Sequence, residues 1–240
     1  MKEYLRWGEI PTVVVAAGRF EEAASRGTIL FFHGLGADKE ANLKEYLSLS
    51  RRGFLVVGID NAGHGQRRYS DFDARFGPQA AATWRDHFVR AVHETAVGLS
   101  PLIDALTAEG MVQGDRLGAC GISMGACIVY RAMTLDKRIV AATAILGSTG
   151  SPHLQPASFF PAALLSQNAA QDEVVDPREA RDFHTRLTPL YASIPDHQAY
   201  IELEGEGHMM SESGWGKLWK NAVEWFERFL PCQDPKPSRR

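Results

Sequence analysis

A mostly parallel α/β sheet of about seven to eight strands, with helices on both faces and no cap domain, is the fold the sequence predicts. Three observations predict it. Wholly apolar runs such as Ile29-Leu30-Phe31-Phe32 recur without polar alternation, and a strand that is apolar on both sides must be covered on both sides. Amphipathic helical patterns separate those runs. The alternation continues along nearly the whole chain, which is the order of a sheet built from βαβ units.

The elements follow in chain order. Residues 12–15 read as an early strand, and 28–32 as a short buried strand running into His33-Gly34-Leu35-Gly36. A helical pattern covers roughly 39–52, and 54–59 form another buried strand ending at Asp60. Residues 61–82, rich in Gly, Arg, Asp and Ala, read as a long loop, and long ordered loops in compact domains often carry function. Trp84, Phe88, Ala91, Val92, Leu99, Leu102, Ile103 and Leu106 fall on one side of a helix over 84–109, which Pro101 is expected to end or kink. A strand over 116–120 meets Gly121-Ile122-Ser123-Met124-Gly125, and a helix follows to about 134. Further strands are expected at 139–146, 162–166 and 199–203, with a helix at 177–190 between the last two. Trp215, Leu218, Trp219, Ala222, Phe226, Phe229 and Leu230 form the stripe by which a last helix packs on the sheet.

Composition bounds the class. With 45% hydrophobic residues in 240, a large core can be buried, and residues 1–232 are expected to form one domain. The polar, proline-containing residues 233–240 are expected to be disordered. A net charge of −3 points to neither nucleic acid nor an anionic membrane as partner, and no apolar run approaches the length of a membrane span. The three cysteines, Cys120, Cys127 and Cys232, match no zinc or redox spacing and read as reduced thiols. Charged residues interrupt the N-terminal stretch where a signal peptide would be apolar, so the expected location is cytoplasmic.

Chemistry enters at residues 121–125. Gly-x-Ser-x-Gly between a strand and a helix is the pattern of a nucleophile elbow, where the serine oxygen projects above the sheet edge. The bland reading is a glycine-rich turn with Ser123 as a helix cap. Composition alone makes the pattern weak; the strand before it and the helix after it make it specific. A serine needs a base, and in this arrangement an acid and then a histidine follow it along the chain. His208, in the loop after the strand at 199–203, fits. His184 and His197 lie in or just after a helix and read as surface residues, and His153 comes too early. Asp172 fits the acid, past the strand at 162–166. Glu173 and Asp176 are its rivals, and Asp176, before Pro177, also suits a helix cap. Two N–H donors must face the tetrahedral intermediate; Met124 and Leu35 are the expected ones. A dinucleotide-binding reading of the glycine-rich turn is poor, because Lys39 stands where the third glycine would be.

Together these residues resemble the α/β-hydrolase superfamily, and within it compact bacterial carboxylesterases related to dienelactone hydrolase and the prolyl-oligopeptidase catalytic domain. The likeness rests on five segments in order: His33–Gly36, Asp60-Asn61-Ala62-Gly63-His64-Gly65-Gln66-Arg67, Gly121–Gly125, Asp172–Pro177 and Gly207-His208. Two details depart from the pattern. Asn168-Ala169 stands where His-Gly commonly opens the acid segment, and Val175-Asp176-Pro177 stretches its Val-Pro. The resemblance implies an esterase using Ser123, His208 and Asp172, with His64 bracing its loop. It implies no metal or organic cofactor and a small-molecule ester as partner. Only about 148–161 separate two strands where a lid often sits, so access is expected to be open. Leu35, Met124, Phe159, Phe160 and Met209 are the expected pocket walls, the two phenylalanines being equally readable as core. Peptidase, thioesterase or lactonase activity on the same residues, and a non-catalytic binding module, are the alternatives.

Overall fold

The computed structural model describes residues 1–150 and 154–230. Eight strands form one sheet: β1 (Lys2–Trp7), β2 (Ile10–Val15), β3 (Thr28–Phe32), β4 (Leu55–Ile59), β5 (Leu117–Ile122), β6 (Ile139–Ile145), β7 (Ala163–Ala169) and β8 (Gln198–Leu203). Their spatial order is β1-β2-β4-β3-β5-β6-β7-β8. β1 pairs antiparallel with β2 and β2 with β4, and every other pair is parallel. The helices are α1 (Phe20–Arg26), α2 (Leu43–Arg51), α3 (Phe72–Phe76), α4 (Trp84–Val97), α5 (Leu99–Ala108), α6 (Met124–Leu135), α7 (Pro177–Leu187) and α8 (Glu212–Phe229).

The apolar runs are central because neither of their faces tolerates water. β3 and β4 are buried at every position. Their side chains alternate between two cores. Leu30 and Phe32 pack with residues of α4, α5 and α6 on one face. Ile29 and Phe31 pack with Tyr46 and Leu49 of α2 and Phe226 of α8 on the other.

The chain goes from β3 outward to β4 on one side and builds β5 to β8 on the other. The order therefore reverses between β3 and β5. At such a switch the loops leaving the carboxyl ends of neighbouring strands diverge and open a crevice, which is where open α/β sheets bind ligands. The loop carrying Leu35 and the turn carrying Ser123 leave the sheet on either side of this point.

Several sequence expectations are corrected. β1 was not anticipated; Lys2, Glu3 and Arg6 make it polar, as suits an exposed edge strand. The helix expected over 84–109 is two helices, parted at Gly98, while Pro101 sits in the first turn of α5, where its missing N–H costs nothing. The long loop contains α3 and two short 3₁₀ turns. His184 is not a surface residue. It is 2% exposed, on the inner face of α7 with Ala180, Phe183 and Leu187. The 233–240 tail, Cys232 and His153 lie outside the described residues.

Candidate active site

Ser123 occupies the sharp turn between β5 and α6 at φ 56° and ψ −116°, a positive φ that a side chain adopts only at a cost. Its neighbours allow the turn to close. A Cβ at Gly121 would strike the Gly125 carbonyl, and one at Gly125 would strike the Phe32 carbonyl of β3. The Ser123 N–H donates to Ile145 O at 2.8 Å, tying the elbow to β6.

Residues 85 positions apart meet here. Ser123 Oγ lies 3.1 Å from His208 Nε2, and His208 Nδ1 lies 2.8 Å from Asp172 Oδ2. The second carboxylate oxygen, Asp172 Oδ1, accepts the N–H groups of Val174 at 2.9 Å and Val175 at 2.8 Å. Only 1% of the Asp172 side chain and 13% of the His208 side chain are exposed. A carboxylate can only accept, so Nδ1 carries the proton and Nε2 is left to accept from the serine hydroxyl.

The two loops that bring acid and imidazole together are bound to each other. Gln171 N donates to Glu206 O at 3.0 Å, and Gly205 N donates to Gln171 Oε1 at 2.7 Å. Glu206 in turn accepts the N–H of Ser211, the residue that caps α8. Of the rival acids, Asp176 caps α7 by accepting from Arg178 N at 2.9 Å. Glu173 makes no contact with His208 among the hydrogen bonds of the described residues.

Leu35 follows β3 in a turn beside Ser123; a Cβ on the adjacent Gly34 would lie 3.7 Å from Ser123 Cβ. Met124 is the first residue of α6, so its N–H has no partner within the helix. The Leu35 loop is held from below. Asp60, wholly buried at the end of β4, accepts from Lys39 N, Lys39 Nζ and Gln66 N, each at 2.9 Å. Asn61 Nδ2 donates to His33 O at 2.9 Å, and Asn61 N donates to His33 Nε2 at 3.2 Å. Burial lowers the pKa of His33 to about 4. His64 is also buried, with Nδ1 at 2.9 Å from Ala62 O and its ring against Phe72 and His33. Burial lowers its pKa too. These contacts hold it within the loop after β4.

The expected pocket walls divide. Met209 lies beside His208 and is 89% exposed. Phe159 and Phe160 are corrected: both precede β7, at the rim where the strands begin, opposite the rim that carries Ser123. Phe159 is core, packed on Tyr130 and Phe183, and Phe160 packs on Tyr191. Two grooves lie nearer in sequence and structure to Ser123 and His208, one lined by His208 and one by Cys127, four residues after Ser123. One lies between α4 and α6, lined by Phe88, Val89 and Cys127. The other lies between α2 and α8, lined by Ile122, Leu146, His208 and Trp215. Sequence reasoning placed Phe88 and Trp215 on helix stripes and could not see that each also faces a groove. Among the described residues no cluster of His, Cys, Asp or Glu is placed to hold a metal ion, and no helix is long and apolar enough to cross a membrane.

Residues 23–167 match the family model described as serine aminopeptidase, S33 (Hydrolase_4). The chain belongs to this family. It is a serine hydrolase of the esterase type with the α/β-hydrolase fold. The matched segment holds Leu35, Ser123 and Met124 and stops short of Asp172 and His208. The chain is similar to the Bacillus subtilis (strain 168) protein named "Putative esterase YitV", with 24% identity over 238 residues, 84% of this chain and 89% of that one. Among solved structures it resembles TT1662 from Thermus thermophilus, at TM-score 0.74 and 18% identity over 96% of this chain and 98% of that one. It also resembles the dienelactone hydrolase from Anabaena variabilis, at TM-score 0.66 and 17% identity over 96% and 98%. A cold-adapted esterase from an Arctic intertidal metagenomic library matches at TM-score 0.68 and 20% identity over 96% and 93%. Each likeness to a solved structure is one of fold.

Proposed function

We propose that this S33-family hydrolase cleaves carboxylic esters of small or medium acyl chain through an acyl-enzyme on Ser123. The observation that carries the reading is the continuous path from hydroxyl to imidazole to carboxylate, 3.1 Å and then 2.8 Å. His208 removes the proton of Ser123 as Oγ attacks the ester carbonyl, and Asp172 keeps the imidazole in the right tautomer and stabilises its cation. The N–H groups of Leu35 and Met124 receive the negative charge that develops on the carbonyl oxygen. His208 then protonates the departing alcohol, and water, activated by the same imidazole, releases the acid. Residues 1–232 form the proposed single domain. The cytoplasm is the proposed setting, in keeping with Cys120 and Cys127, which are buried free thiols.

The test is covalent. A fluorophosphonate should label Ser123 in the wild type, and Ser123→Ala should lose both label and ester turnover while melting as a folded protein. Turnover by that variant at the wild-type rate refutes the assignment. The family's aminopeptidase description favours one second reading, amide cleavage on the same residues. Aminoacyl anilides tested beside short-chain aryl esters separate the two.

A further inference from the structure

His208 lines one groove of the protein, and Cys127, four residues after Ser123, lines another, so the mechanism distinguishes them. The groove between α2 and α8 has a volume of about 470 Å³; Ile122, Leu146, Met209, Met210 and Trp215 give it apolar surface beside His208, and Asn42, Lys44 and Glu45 line its α2 side. The space between α4 and α6 consists of two adjoining cavities of about 330 and 400 Å³ that share Phe88, Val89, Cys127 and Gly150. His208 lines the first groove and neither of the others.

The tetrahedral carbon formed on Ser123 has four substituents. One is Oγ. One is the oxyanion, directed at the N–H groups of Leu35 and Met124. The third is the leaving-group oxygen, which must lie within reach of the proton on His208 Nε2. The fourth, the acyl chain, takes the direction that remains. Cys127 stands one turn along α6 from Ser123 and lines the α4–α6 cavities, not the α2–α8 groove.

We propose that the groove between α2 and α8 is the leaving-group subsite and that it selects an aromatic alcohol, while the Phe88–Val89–Cys127 groove takes the acyl chain. The assignment rests on the Ser123–His208 reading above. Trp215 gives the groove its preference. Its Nε1 donates to the buried Glu45 at 3.0 Å, and its ring stacks on Trp219 at 6.5 Å and 10°. An indole fixed in this way loses little freedom when an aromatic ring packs against it. The thioethers of Met209 and Met210 beside it adapt to the ring edge. In acylation the Oγ–carbon bond forms and the carbon–oxygen bond to the alcohol breaks. The serine proton, held meanwhile on His208, passes to the phenolic oxygen, and the phenol departs through the groove that His208 lines.

The two subsites separate kinetically, because the acyl-enzyme has already lost its alcohol. Trp215→Leu should lower kcat/KM for 2-naphthyl butanoate about tenfold while changing methyl butanoate less than about twofold. The deacylation rate of the butanoyl-enzyme should not move. Val89→Trp, on the other groove, should shift acyl-length preference equally for every alcohol and should alter deacylation. Comparing each variant with wild type on the same ester cancels the intrinsic reactivity of the leaving group. Trp215→Leu acting equally on both alcohols, or changing deacylation, overturns the assignment. If that variant does not fold, Met209→Ala, on a side chain 89% exposed, carries the same comparison. Wild-type protein that cleaves no ester, or is not labelled at Ser123, would instead sink the esterase reading itself.

Discussion

Acid should destabilise this protein through histidines that take no part in catalysis. His184 is buried on α7, its Nε2 2.7 Å from Ser166 Oγ, which lies 2.6 Å from the buried Tyr130 hydroxyl. Burial lowers its pKa from 6.5 to about 3, and that of His33 to about 4. Below pH 6.5 the unfolded chain binds a proton at each position that the folded chain refuses. Stability is therefore complete above 6.5 and falls as the pH drops toward the folded values, by about 1.4 kcal/mol per pH unit and histidine. At about pH 5 each site has lost about 2 kcal/mol, together about 4, a large part of an ordinary folding free energy. Asp136, held down to about 2 by Arg138, contributes only once the pH falls below 3.8, so the window from 6.5 to 5 belongs to the histidines. His64, lowered in the same direction, adds to it. Urea unfolding followed by tryptophan fluorescence at neutral pH and at pH 5 measures the loss. His184→Gln, which keeps a polar group near Ser166, should remove its share, about 2 kcal/mol of the pH dependence. An unchanged dependence in that variant would refute the reasoning.

Two further outcomes are expected. Asp172→Asn should leave the melting temperature close to wild type, since an amide oxygen can still accept from Val174 and Val175, yet kcat should fall about 10³- to 10⁴-fold because the imidazole is no longer held in its working tautomer. Ester turnover beside a thermal melt checks both halves. Gly125→Ala should cost about 3 kcal/mol or more, because the new methyl meets a β3 carbonyl that cannot retreat without parting β3 from its neighbours. Denaturant unfolding, or loss of soluble protein, reports it.

Much of the candidate site is legible because its residues are punctuated by strand ends. Ser123, Asp172 and His208 each follow an apolar run, and a parallel sheet brings the ends of such runs to one rim. The same rule, applied to Phe159 and Phe160, would have excluded them, since both come before β7 rather than after it. His184 was also within reach. Its spacing with Ala180, Phe183 and Leu187 is the inner stripe of α7, and only the habit of placing histidine at the surface hid it. The grooves were not legible. Val89 on α4 and Trp215 on α8 are far apart in sequence, and nothing local tells a side chain that faces a cleft from one that packs on the sheet. The Lys39–Asp60 pair is hidden for the same reason, joining the loop between β3 and α2 to the residue just past β4, 21 positions on.

The left-handed backbone at Ser123 bears on how inactive forms of the protein should be made. Alanine at 123 removes the hydroxyl but keeps a Cβ, so the elbow stays under the same torsional load as in the working enzyme. Glycine is at ease at φ 56° and would release that load. An inactive protein meant to trap an intact ester should therefore carry alanine, since glycine frees the turn to relax away from the shape that the proposed mechanism needs at the start of α6.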